Sequence, residues 1–222
     1  MNGRMRFETA DGSHSIYVPT LQESYHSRHG AVQESRHVFI EMGLKRAAAR
    51  QSRLRILEVG FGTGLNAMLT ALEAEAMALE IEYWSLEPYP LEAFELQGLN
   101  YAAIAQDKAA EPTWEAIHAA EWEHMQSVSP HFSLHKMAAT LESATLPQNM
   151  DVIYFDAFAP EKQPELWTQE VFERIHALMS SQGLLTTYCA KGSVRRTLQA
   201  VGFQVTREQG PPGKREMLVA KK

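Results

Sequence analysis

The chain has 222 residues, 45% of them hydrophobic and 22% charged, and a net charge of −6. That length and balance fit one globular α/β unit and exclude a disordered, collagen-like or repeat protein. The single cysteine, Cys189, excludes an internal disulfide, dithiol redox chemistry and a cysteine-rich zinc site, and fits a reducing compartment.

The charge is uneven along the chain. Residues 1–55 carry nine basic against five acidic side chains, residues 56–190 four against twenty, and residues 191–222 eight against two. Basic ends that converge in space would form a local phosphate-binding face, although ordinary solvated charges give the same count. No apolar run approaches the ~18 residues that a membrane span needs, and residues 1–10 lack a signal-peptide apolar core. A soluble cytoplasmic protein is expected.

Residues 1–53 are polar and rich in His and Arg, and VFIEMGLKRAAAR reads as a helix leading into the first strand. They are expected to form an N-terminal extension packed on the sheet, with residues 54–222 as the main domain. His26, His29 and His37 cluster in sequence without acidic partners at ligand spacing, so they read as polar surface and no metal is expected. LRILEVG (54–60) reads as a buried strand, LNAMLTALEAEAMALE (65–80) as a helix and IEYWSLE (81–87) as a second strand, which together make a βαβ unit.

Helices are expected over 91–99 and 112–128, a strand over 132–137, a strand in DVIYFDAF (151–158), a helix in WTQEVFERIHALMS (167–180) and a strand in GLLTTYCA (183–190). GSVRRTLQAVG (192–202) reads as a short helix capped by Gly202. FQVTRE and REMLVAKK, joined by QGPPGK, read as a hairpin. Trp84, Trp114 and Trp122 read as packing residues. The fold class is therefore α/β: a doubly wound, mostly parallel sheet with a C-terminal antiparallel hairpin. That is the Rossmann-like arrangement of class I S-adenosylmethionine-dependent methyltransferases.

Glu58-Val59-Gly60-Phe61-Gly62-Thr63-Gly64 lies where the first strand passes into a helix. Glycines there allow a sharp turn and close approach to a ligand, with amide hydrogens at the helix start aimed at it. The spacing is GxGxG, whereas a dinucleotide fingerprint would need a glycine at position 65, which is Leu. Glu58 suits the ammonium group of S-adenosylmethionine. Glu87, at the end of the second strand, offers two acceptors to a pair of ribose hydroxyls, a role that would serve NAD equally. Asp156 stands at the carboxyl end of a buried strand, where open α/β sheets bind ligands, and Phe158 follows in an apolar turn that could cover a substrate ring or developing cation.

DAFAPEKQPELWT, YCAKGSVRRTLQAVGF and GPPGKREML, preceded by EVGFGTGLN and by Glu34-Ser35-Arg36, resemble the MnmC/MnmD-type tRNA 5-aminomethyl-2-thiouridine methyltransferases over nearly the whole chain. The resemblance implies transfer of a methyl group from S-adenosylmethionine to the primary amine of 5-aminomethyl-2-thiouridine at the tRNA wobble position. Many members carry a C-terminal flavin oxidase domain; the chain stops at Lys222, so a stand-alone form without flavin is expected, dependent on another enzyme for the aminomethyl group.

The implied catalytic residue is Asp156, and the implied cofactor residues are Glu58, Gly60, Gly62, Gly64, Asn66 and Glu87. Substrate contacts are expected from Arg36, Phe158 and Trp167, and from Lys191, Arg195, Arg196, Lys214 and Arg215. One departure concerns the adenine: related enzymes often place an acid after the third strand, where this chain has Ala138 and Ala139, so Glu142 or a backbone carbonyl would substitute. An alkylamine with a pKa near ~10.4 is mostly protonated at neutral pH, so Asp156 reads as the group that accepts its hydrogen bond and aims its lone pair. A small-molecule amine methyltransferase, an aminopropyltransferase and a non-catalytic cofactor- or tRNA-binding module stand as alternatives. An NAD-dependent dehydrogenase is disfavoured by the glycine spacing and the terminal hairpin.

Overall fold

The computed structural model describes residues 3–222. Three short antiparallel strands come first, β1 (Met5–Glu8), β2 (His14–Val18) and β3 (Glu23–Ser24). A continuous helical run follows: α1 (Ala31–Ser35), a π-helical stretch (Arg36–Lys45) and α2 (Arg46–Ala48). Its Val38, Phe39, Ile40 and Leu44 are buried in the same cluster as Ile56, Val152 and Tyr154 of the main sheet. Gly43 makes the approach close, since a Cβ there would stand 3.0 Å from the Tyr154 ring. The expected helix before the first strand is present, but begins earlier than the apolar run VFI.

The βαβ unit is β4 (Arg53–Val59), α3 (Leu65–Met77) and β5 (Glu80–Leu86), close to the expected bounds. Next come α4 (Ala93–Leu96), α5 (Tyr101–Ala105), α6 (Ala110–Ala119), β6 (Met125–Ser129) and β7 (Phe132–Met137). The helix expected over 91–99 is thus a single turn, and the helix expected over 112–128 stops at Ala119. A buried lysine marks that stop: Lys136 donates to the Ile117 carbonyl at 2.9 Å, occupying an acceptor in the last turn. The chain then turns back as β6, antiparallel to β7.

The remaining elements are β8 (Met150–Phe155), α7 (Gln169–Leu178), β9 (Met179–Thr187), α8 (Gly192–Val201), β10 (Gln204–Gln209) and β11 (Glu216–Lys221). The Thr168 hydroxyl caps α7 by accepting from the Val171 amide at 3.4 Å, so this helix starts after Trp167. Gly202 ends α8 at φ 112°, as its cap position requires.

The main sheet runs β10-β11-β9-β8-β4-β5-β7-β6. Its five central strands are parallel, β11 lies antiparallel between β9 and β10, and β6 adds a second antiparallel edge. Both faces of the centre are covered. On β8, Val152 and Tyr154 enter one apolar cluster while Ile153 and Phe155 enter the other. Double burial explains the near-continuous apolar runs of these strands.

Candidate active site

Strand order reverses between β4 and β8, and the loops leaving those two strands open a crevice at their carboxyl ends. The Asp156 amide donates to the Val59 carbonyl at 3.0 Å, which ties the two loops together. Gly60, at φ 98°, permits this: a Cβ there would sit 2.7 Å from the Asp156 carbonyl oxygen. The crevice widens into a cavity of about 910 Å³, walled by the glycine loop, Glu87 and residues 139–142, by residues 156–159, and by residues 20–29.

An acid-amide-acid chain runs from the wall into the sheet. The Asn66 Nδ2 group, on the first turn of α3, donates to Glu58 Oε1 at 3.0 Å and to Asp156 Oδ2 at 2.8 Å. Ser85 Oγ donates to the other Glu58 oxygen at 2.6 Å. Glu58 is fully buried, and among the described residues it has no cation partner. Burial pushes its carboxyl up to about 8, against the opposing hydrogen bond from Ser85. Asp156 lines the cavity, and burial pushes it up to about 7, with the Glu34 charge adding to the rise.

Glu87 holds the loop itself. Its Oε2 accepts from the Gly62 amide and its Oε1 from the Tyr89 amide, each at 3.0 Å. Each oxygen keeps one lone pair for a further donor. Burial raises this carboxyl too, with the two amides opposing. The amides of Gly60 and Phe61 donate to the Leu86 carbonyl, so the first part of the loop is bound to β5. The glycines therefore serve shape more than amide donation: Gly62, at φ 50°, lies where a Cβ would meet the Tyr25 ring at 2.8 Å.

These residues fit S-adenosylmethionine by their own chemistry. Among the charged side chains lining the cavity, six carboxylates face four basic groups, which suits a cationic sulfonium. The Asn66 Oδ1 atom is buried and among the described residues has no hydrogen-bond partner, an acceptor available to an ammonium group. Asn66 and the buried Glu58 behind it would hold the amino-acid end, and Glu87 the ribose. Ala139 and Glu142, from the segment expected to supply the adenine acceptor, both line the wall.

Of the residues singled out in the sequence, Gly60, Gly62, Asn66, Glu87, Asp156, Phe158 and Lys214 share the cavity wall. Glu58 reaches it only through Asn66. Gly64 stands behind the loop as the N-cap of α3, with φ 79° and the Phe61 and His118 rings against it.

Six other residues are not part of that wall. Trp167 is buried, and its Nε1 donates to the Phe158 carbonyl at 2.8 Å, so it positions Phe158 from behind. Arg36 donates to the Ala105 carbonyl at 2.9 Å, joining the π-helical stretch to α5. Lys191 pairs with Glu161 on the surface. Arg195 lies along α8 against Gln199, and Arg196 and Arg215 are exposed. His26, read as surface, is instead buried in the wall beside Ser15 and Tyr101.

Sequence reasoning missed Tyr25, whose ring packs edge-on against Phe158 with centroids 5.2 Å apart. It also missed Tyr188, whose hydroxyl donates to the Ala157 carbonyl at 2.8 Å. Tyr188 stands within the quoted YCAKGSVRR segment, but Tyr25 has no local signal.

A family model described as an S-adenosyl-L-methionine-dependent methyltransferase matches residues 105–222. The chain belongs to that family, the methyltransferase part of MnmC. The methyltransferase is 33% identical over 222 residues to the tRNA 5-methylaminomethyl-2-thiouridine biosynthesis bifunctional protein MnmC of Cupriavidus necator, covering 92% of this chain and 32% of that protein. The protein of the same name from Methylobacillus flagellatus is 28% identical, with 91% and 33% covered. The chain thus spans about a third of the length of these curated relatives.

The crystal structure of MNMC2 from Aquifex aeolicus superposes with a TM-score of 0.81 at 29% identity, covering 99% of this chain and 70% of that one. Spermidine synthase from Thermotoga maritima shares the fold, with a TM-score of 0.53 at 10% identity over 98% of this chain and 71% of that one. The sheet is thus of the class I methyltransferase type, and the cofactor of the family is S-adenosylmethionine. Among the described residues no helix is long and apolar enough to cross a membrane.

Proposed function

We propose that this methyltransferase converts 5-aminomethyl-2-thiouridine at the tRNA wobble position to 5-methylaminomethyl-2-thiouridine. The names of its relatives support the substrate. The observation that carries the chemistry is Asp156, held by Asn66 in the cavity wall beside the apolar Phe158 turn. When bound, S-adenosylmethionine supplies an electrophilic methyl group already activated by its sulfonium. The chain must bring a neutral amine to it in line.

An ordinary aspartate, near 3.9, lies about six powers of ten below an alkylamine in proton affinity. With Asp156 at about 7, that mismatch is about three powers of ten smaller. Asp156 therefore both accepts the amine's hydrogen bond and draws its proton more strongly than a solvated carboxylate would. Phe158, braced by Tyr25 and Trp167, keeps water from the amine.

In this reading residues 54–222 are the catalytic unit and residues 1–53 complete its substrate side. The exposed Lys191, Arg196 and Arg215, with Arg195, are phosphate contacts for the tRNA, which makes binding salt-dependent. The test is transfer of labelled methyl from S-adenosylmethionine to tRNA bearing the aminomethyl group, beside tRNA lacking it and the free amine nucleoside. Label on the first tRNA alone supports the reading. Label on the free nucleoside but neither tRNA identifies a small-molecule enzyme, and no label despite cofactor binding identifies a non-catalytic module.

A further inference from the structure

Glu34 and Lys214 come from opposite ends of the chain and meet at the cavity wall. Their ion pair is 2.5 Å long, and the Glu34 side chain is only 9% exposed. The second Glu34 oxygen accepts from the Ser27 amide at 3.0 Å, so the carboxylate is tied from both sides. The Lys214 ammonium also lies 4.1 Å from the centroid of the Tyr188 ring. Tyr188 in turn holds the carbonyl of Ala157, the residue after Asp156. A lysine engaged by a carboxylate and an aromatic face is poorly placed to serve as a free phosphate contact.

We infer that Glu34, Lys214 and Tyr188 form a positioning assembly for Asp156, fixing its turn and setting its charge state from within the site. This rests on the reading of Asp156 as the acceptor for the substrate amine. The groups facing Asp156 are Asn66 from α3, Glu58 from β4, Tyr83 from β5, Glu34 from α1, Tyr188 after β9 and Lys214 from the loop between β10 and β11. Within that set Lys214 is the one cation, and it favours ionised Asp156, while Glu34 favours the protonated form. Removing either charge should therefore move the ionisation of Asp156 in opposite directions.

The experiment compares Lys214→Met, Lys214→Arg and Glu34→Gln with the wild type. Two readouts are taken: the pH profile of kcat on aminomethyl-bearing tRNA, and the titration of the Asp156 carboxyl carbon by NMR, assigned with Asp156→Asn. Lys214→Met should raise the acid limb of kcat and the Asp156 midpoint, and Glu34→Gln should lower both by the larger amount. Lys214→Arg, which keeps the cation and its aromatic contact, should restore both toward the wild type.

A rise in KM for tRNA with a shallower salt dependence, and no change in either titration, would make Lys214 a phosphate contact and overturn the inference. Circular dichroism establishes that each variant is folded. If the wild type methylates no tRNA, the proposed substrate falls, while the NMR titration still decides the assembly. Midpoints that fail to move in folded variants would then overturn it.

Discussion

Replacing Glu58 by Gln tests the energetics of the acid-amide-acid chain most directly. Glu58 is wholly buried and, among the described residues, has two hydrogen-bond donors and no counter-ion. The folded chain binds its proton more tightly than the unfolded chain does, since the group moves from 4.5 to about 8. The contribution of this carboxyl to stability is therefore complete below about pH 4.5 and is lost as pH rises through about 8. A displacement of that size corresponds to a ceiling of about 5 kcal/mol, from roughly 1.4 kcal/mol per pH unit.

Gln keeps an oxygen to accept from Asn66, and the Ser85 hydroxyl can turn to accept from its amide, so the contacts survive without the charge. Glu58→Gln should match the wild type near about pH 5 and be more stable by a few kcal/mol near about pH 8.5, raising the thermal midpoint by about 5 to 10 °C in a chain of this size. Thermal unfolding of cofactor-free protein followed by circular dichroism at several pH values measures it. A wild-type stability that does not fall between those pH values, or a variant less stable at the higher one, would refute the account of Glu58 as a buried, uncompensated carboxyl.

Three further outcomes follow from the site. Asp156→Ala should retain cofactor binding, measured by calorimetry with S-adenosylhomocysteine, while kcat falls by about a hundredfold or more; equal loss of both would remove its proposed role. Gly62→Ala places a methyl 2.8 Å from the Tyr25 ring at a φ of 50°, so cofactor affinity should fall by about tenfold or more in the same calorimetry, and a normal affinity would show that the loop relaxes freely. Trp167→Phe removes the donor to the Phe158 carbonyl, leaving a part-buried acceptor; denaturant unfolding should show a loss of about 1 kcal/mol and the methyl-transfer assay a reduced kcat.

The strands at the centre of the sheet were legible because they are buried on both faces, so their apolar runs stand out without knowledge of neighbours. β6 was not. MQSVS is a half-exposed edge strand with no apolar alternation, and it follows a helix whose end is marked by Lys136 from another strand. The strands β1 to β3 escaped for the same reason, being two to five residues long and partly exposed. Helix α8 is legible because its signals are local: two buried positions four apart and a glycine free to adopt the left-handed cap.

The candidate site divides along the same line. Asp156 and the glycine loop could be found because each owes its place to its own strand and turn. Asn66 stood inside a quoted motif, but its work of joining two carboxylates depends on a residue 90 positions away. The charge of Lys214 is visible in sequence and there suggests a phosphate contact, whereas its partners Glu34, 180 positions earlier, and the Tyr188 ring come to it only in the fold. A parallel sheet leaves the crevice at its strand ends open to whatever packs there. Here the closing wall comes from residues 20–29 and from Glu34, so the segment with the weakest secondary-structure pattern supplies much of the surface of the cavity. The glycine-loop side of the cavity can thus be inferred from one stretch of chain, while the wall formed by Glu34 and Lys214 requires both ends to be brought together.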